Sequence, residues 1–185
     1  EGEAATFSVD AGLTTGPSYQ WQILNGSLWE DIIGENNSSL VIPSVTSAMN
    51  GNNYRIIVSS TCGSSVNSGP VTLTVYEKPE ILSQPVDTIV CAGAIVKFSI
   101  DPGVTTGPVY QWQMSADSGM SWTNVPSAGN YSGSTGPILT IYSVDSVMNG
   151  YRFKVLLSGI CSPDLESDYA TLTVNTSPVI TLHPE

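Results

Sequence analysis

The sequence predicts an all-β protein made of two tandem β-sandwich domains, head to tail. Three observations predict it. Apolar residues alternate with polar ones over short runs, Gly, Asn, Ser and Pro separate the runs, and the whole pattern occurs twice. No window keeps a 3.6-residue apolar period, so helices are not expected.

The repeat sets the organisation. TFSVDAGLTTGPSYQWQ (6–22) aligns with KFSIDPGVTTGPVYQWQ (97–113), LVIPSVTSAMNG (40–51) with LTIYSVDSVMNG (139–150), and VTLTV (71–75) with ATLTV (170–174). The spacing between copies widens because the second carries extra residues around Asp117 and over 132–137, where loops are expected. Residues 1–78 form repeat 1 and 79–178 repeat 2. Residues 179–185 form the first strand of a following repeat or a donor strand. The tail VITLHPE resembles ILSQPV (81–86), with Pro184 at the place of Pro85, whereas copy one lacks its own first strand. Two explanations stay open. The chain is a window on a longer array, or Val179, Ile180 and Leu182 of one chain fill the gap in the next by strand addition.

Each strand follows from its alternation. Phe7 and Val9 match Phe98 and Ile100. Tyr19, Trp21 and Ile23 match Tyr110, Trp112 and Met114. Leu40, Ile42 and Val45 lead into a turn at Met49-Asn50-Gly51. Tyr54, Ile56 and Val58 follow, and Val71, Leu73 and Val75 close the copy. Trp21 and Trp112 are the expected centres of two cores packed by aliphatics.

Composition narrows the function. Sixteen acids against 5 bases give a net charge of −11, which repels phosphate backbones and excludes nucleic acid as a natural partner. No run approaches the roughly 18 apolar residues of a membrane span. Scarce Lys and a few well-placed cysteines point to an oxidising, extracellular setting.

A Trp strand, L-x-I-x-x-V, Asn-Gly, Tyr-Arg and a final L-x-V together resemble an immunoglobulin-like domain. YQWQ, SADSGMSW, MNG, YR and TLTV are similar to the tandem Ig-like repeats of large surface proteins from Bacteroidota. The resemblance implies a secreted, cell-surface, adhesin-like protein in which these domains form a stalk or fibre. Its partners would be neighbouring repeats or copies of itself. The alternatives are a module that binds a glycan or protein, and a self-assembling fibre subunit linked through its tail. Unlike antibody domains, the positions of the inter-sheet disulfide carry Val9 and Ile56, and Ile100 and Val155. Tyr54 takes the place of a tyrosine corner, and Phe153 replaces it in copy two.

The three cysteines are disulfide candidates. Cys62 and Cys161 are equivalent and fall in the loop after the Tyr54 and Phe153 strands, the F–G loop of the resembled fold. The counterpart of Cys91 would fall just before Glu1, so Cys62 expects a partner there or in another copy. Cys91–Cys161 is the simple pairing within copy two, but the resembled fold puts these residues at opposite ends of a sandwich. A link from Cys91 to the F–G cysteine of a following copy is the alternative.

No catalytic, cofactor or metal site is expected. SADSGMSW (115–122) has the Asp-box form S-x-D-x-G-x-x-W, in which Asp117 caps backbone amides of a hairpin turn and Trp122 packs beneath. His183 sits alone in the tail. Asp164, Glu166 and Asp168 read as a solvated acidic loop, with Ca²⁺ ligation as the alternative. Trp29 and Trp122 pack beside their hairpins or, if exposed, offer faces to sugar rings. Thr88 and Ser146 lie in Asp-Thr-Ile and Asp-Ser-Val, which resemble Bacteroidota O-glycosylation sites.

Overall fold

The structure is a computed structural model that describes residues 2–178. The chain divides between Tyr76 and Glu77 into two compact units.

Unit 1 contains β1 (Ala5–Ser8), β2 (Ser18–Asn25), β3 (Leu28–Asp31), β4 (Ser39–Ile42), β5 (Asn53–Ser59), β6 (Val66–Asn67) and β7 (Val71–Thr72). β1 pairs with β4, and β3, β2 and β5 form the second sheet, with β6 and β7 both on β5. These pairings are antiparallel. The register sets Phe7 opposite Leu40 and Trp21 opposite Ile56. Period-two alternation then turns Trp21, Tyr54 and Ile56 inward with Leu40, Leu73 and Val75. The Trp21 indole N–H donates to the Asn37 carbonyl at 3.0 Å, so burying the ring leaves no indole donor unpaired. Tyr54 contributes its ring, 5.3 Å from that of Phe7.

Unit 2 contains β8 (Thr88–Cys91), β9 (Val96–Ser99), β10 (Val109–Ser115), β11 (Thr123–Asn124), β12 (Tyr131–Ser132), β13 (Ile138–Ile141), β14 (Arg152–Ser158), β15 (Leu165–Glu166) and β16 (Ala170–Asn175). One sheet runs β12-β13-β9 and the other β11-β10-β14-β16-β8, with β15 on β14. Trp112 lies opposite Val155 and is wholly buried, its indole N–H donating to the Gly136 carbonyl at 2.8 Å. Phe98 and Phe153 stack with centroids 5.0 Å apart.

Two expectations need correction. The insertion over 132–137 is not all loop. Tyr131 and Ser132 form β12 against β13, because Tyr131 is half-buried against the core and its hydroxyl reaches Met114 Sδ at 3.6 Å. Gly133 (φ +78°) then turns the chain where a Cβ would strike the Ile138 carbonyl. Second, Val9 is only half-buried, whereas its counterpart Ile100 is 6% exposed. The aromatic Phe7, rather than Val9 alone, fills that side of unit 1.

The largest difference is at the last strand. In unit 2, β8 lies parallel to β16, with Ile89 opposite Thr173. The N–H groups of Leu172 and Val174 point the other way, to the Tyr151 carbonyl and Asn149 Oδ1, which leaves the Thr173 N–H facing β8. Leu73 and Val75 make the same two bonds in unit 1, to the Asn52 carbonyl and Asn50 Oδ1. No strand among the described residues pairs with Thr74.

Hydrogen exchange resolved to single amides should therefore find Thr173 protected and Thr74 fast. Trp112→Ala should cost about 3–5 kcal/mol in chemical denaturation, as expected for removing a fully buried aromatic.

Candidate functional site

The hairpins β2–β3 and β10–β11 carry Trp29 and Trp122, both half-buried. The neighbouring strands β5 and β14 place a cation over each ring. The Arg55 guanidinium lies 4.4 Å from the Trp29 centroid, and Lys154 Nζ lies 4.6 Å from that of Trp122. Arg55 is held by the Gln22 side chain at 2.7 Å and Lys154 by Glu166 at 2.8 Å. Each cation–ring contact is worth about 0.5–1 kcal/mol at a surface of this kind. One face of each indole is thus covered by its own sheet. Sequence reasoning saw the tryptophans and missed the cations over them. The signal was available, since Arg55 and Lys154 hold the same position in the repeat.

The Asp-box is a built turn. Asp117 accepts from the Ser115 hydroxyl at 2.6 Å, from the Ser121 amide at 2.9 Å and from the Ser121 hydroxyl at 2.5 Å. Ser115 in turn accepts from the Gly119 amide at 2.8 Å, and the Ser118 carbonyl accepts from Arg152. The donors to Asp117, the Ser115 hydroxyl first, hold its carboxyl well below the usual carboxylate range. These bonds close on the turn and its adjoining strand, so the motif shapes the β10–β11 hairpin.

The remaining candidates are scattered. Thr88 begins β8, half-buried, with its hydroxyl donating to the Val86 carbonyl at 3.2 Å. Ser146 is exposed at the start of the short 3-10 turn Ser146–Met148, its hydroxyl 3.2 Å from Asp145 Oδ1. The same carboxylate oxygen caps the turn, accepting from the Val147 amide at 3.0 Å. Glu166 lies in β15 rather than in a loop and is committed to Lys154. No group of three or more His, Cys, Asp or Glu among the described residues is placed to hold a metal ion. His183, Val179, Ile180 and Leu182 lie outside the described residues.

No disulfide joins cysteines among the described residues. Cys62 and Cys91 are exposed and Cys161 is half-buried. Cys91 ends β8, opposite Asn175 at the end of β16, while Cys161 follows β14 at the other end of unit 2. β14 alone spans roughly 20 Å at ~3.3 Å per residue, whereas a disulfide needs Cα atoms within about 7 Å. Cys91 and Cys161 of one unit therefore do not pair. Cys62 lies on the rim of an open groove of about 490 Å³ in unit 1, lined also by Val9, Asp10, Thr14, Val58 and Val66.

No protein-family model matches the chain. Endoglucanase C of Cellulomonas fimi is 30% identical over 126 residues, which is 68% of this chain and 11% of that protein. Among solved structures, the N-terminal eight Ig domains of Down Syndrome Cell Adhesion Molecule match 94% of this chain and 23% of theirs, at a TM-score of 0.67 and 14% identity. An E-to-A variant of titin domains I67-I69 matches 95% of this chain and 60% of its own, at 0.63 and 16%. Likeness at this level establishes the fold: the chain consists of tandem immunoglobulin-like β-sandwich domains. No helix among the described residues is long and apolar enough to cross a membrane.

The depressed Asp117 pKa sets a sign for pH dependence. Its contribution is complete above the ordinary carboxylate pKa and is lost only as pH falls through its own lower value. The Ser121 amide should stay protected from exchange through about pH 4, where ordinary carboxylates titrate. Asp117→Ala should abolish that protection at every pH.

Proposed function

We propose that this chain is an extracellular structural module, two repeats from the stalk or fibre of an adhesin-like bacterial surface protein. One observation carries the reading. In unit 2 the chain enters beside Thr105 and Thr106 and leaves beside Cys91, at opposite ends of the same sandwich. In this reading residues 1–78 and 79–178 are successive repeats of an array. Residues 179–185 begin the next repeat in this reading.

The cysteines fit the same scheme. Cys161 lies at the end of unit 2 where the chain enters, Cys91 at the end where it leaves, and Cys62 holds the position in unit 1 that matches Cys161. A bond from Cys91 to the entering end of a following repeat would staple successive domains. Ser146 is the more accessible of the two hydroxyls offered for glycosylation.

A second reading is favoured by the likeness to part of an endoglucanase: an accessory module that binds glucan. The cations over Trp29 and Trp122 weigh against sugar stacking at those faces.

Antibody raised against the chain should label intact source cells, and non-reducing peptide mapping should find Cys91 joined to an F–G cysteine peptide. Labelling only after permeabilisation would overturn the surface assignment. Retention on insoluble glucan, lost in Trp122→Ala, would favour the accessory module.

A further inference from the structure

Unit 2 closes one side of its core with a strand that has no counterpart in unit 1. β12 lies on the edge of β13, with Tyr131 opposite Ile141 and Ser132 opposite Thr140. The Tyr131 ring packs half-buried against the core, and its hydroxyl reaches Met114 Sδ at 3.6 Å. The Ser127 and Ser134 hydroxyls, 2.6 Å apart, tie the start of this excursion to its end.

Unit 1 turns directly from Ile32 to Glu35, whose amide donates to the Ile32 carbonyl at 3.2 Å. The Trp21 amide donates to the Glu35 carbonyl at 3.0 Å, as the Trp112 amide does to the Ser134 carbonyl at 2.8 Å. Glu35 therefore matches Ser134, and nothing between Ile32 and Glu35 matches Tyr131. The difference lies inside the repeat, between β3 and β4. Ile23 and Ile42, the counterparts of Met114 and Ile141, line an open groove of about 350 Å³ with Ile32, Met49, Glu35 and Tyr54. Ile32 and Ile42 are half-buried, whereas Val125 and Ile141 at the matching positions are buried.

Two polar groups of this groove have no partner. Tyr54 is 4% exposed, and no described residue hydrogen-bonds to its hydroxyl. Among the described residues no side-chain oxygen sealed from solvent is left unpaired, so this hydroxyl opens outward, and the groove is the opening that Tyr54 lines. The carboxylate of half-buried Glu35 likewise bonds to no described residue.

We propose that this groove takes a tyrosine side chain from an extended segment of a partner protein, laid antiparallel on the free edge of β4 as β12 lies on β13. The ring fills the space that Tyr131 fills in unit 2. Ile23 offers no acceptor where Met114 does, and the Tyr54 hydroxyl and Glu35 carboxylate receive the phenol instead. The backbone has room for a short ladder. Leu40 and Ile42 face β1, so the Val41 amide and carbonyl point away from it. Pro43 stands where the Tyr142 amide donates to the Asn130 carbonyl at 2.7 Å, which confines the ladder to Val41 and leaves the ring as the anchor. This surface is independent of the stalk assignment.

The test titrates the full chain with a capped synthetic peptide of residues 126–134, the occupant that unit 2 supplies to itself. The expected result is saturable binding, with new exchange protection at the Val41 amide and a shift of the Met49 methyl resonance. Tyr131→Ala in the peptide should weaken binding at least about tenfold, as for loss of an aromatic anchor. Tyr131→Phe in the peptide should weaken it about two- to tenfold, the scale of one hydrogen bond. A chain carrying Tyr54→Phe and Glu35→Gln should bind the tyrosine and phenylalanine peptides equally, and Phe153 in unit 2 shows that the fold accepts phenylalanine at this position. Absence of saturable binding, unchanged exchange at Val41, or equal affinity of the two peptides for the unsubstituted chain would overturn the proposal. So would self-association of the chain that the peptide reverses, since a second copy would then be the occupant.

Discussion

The two sandwiches depend on how their sheet edges are closed. A last strand that pairs on one side only presents a row of unpaired amides and carbonyls, which invites aggregation. In unit 2 that edge is covered by β8, parallel to β16, and the preceding stretch is packed on the turn after β9 through Asp101 and Thr105. Unit 1 has the same core pattern and the same turn without these two coverings among its described residues. Its more exposed Val9, Tyr19 and Val58 follow from this difference.

Much of this was legible in the sequence because a β-sandwich writes its faces with period two. The Trp21 and Trp112 strands, their partners at Ile56 and Val155, and the Asp-box turn all sit where alternation and turn chemistry put them. The repeat gave a second reading of every position. What escaped was tertiary. The strand at Tyr131 forms because a half-buried ring packs against the core and reaches Met114, a contact that no local pattern announces. The groove in unit 1 is likewise visible only when two folded copies are compared.

The candidate sites show the same limit. Arg55 and Lys154 each cover one face of the indole beside them. Glu166 pairs with Lys154 across β14 and β15, a contact between strands that its reading as a loop residue did not include. The separation of Cys91 from Cys161 by the length of β14 removes the simple pairing within copy two, a conclusion that needed the folded strand order as well as the cysteine count.

The most direct measurement is pulse-labelled hydrogen exchange in increasing denaturant, read from peptides of each unit. Edge closure as the governing constraint predicts that unit 1 unfolds at lower denaturant than unit 2. Coincident transitions, or a more stable unit 1, would contradict it.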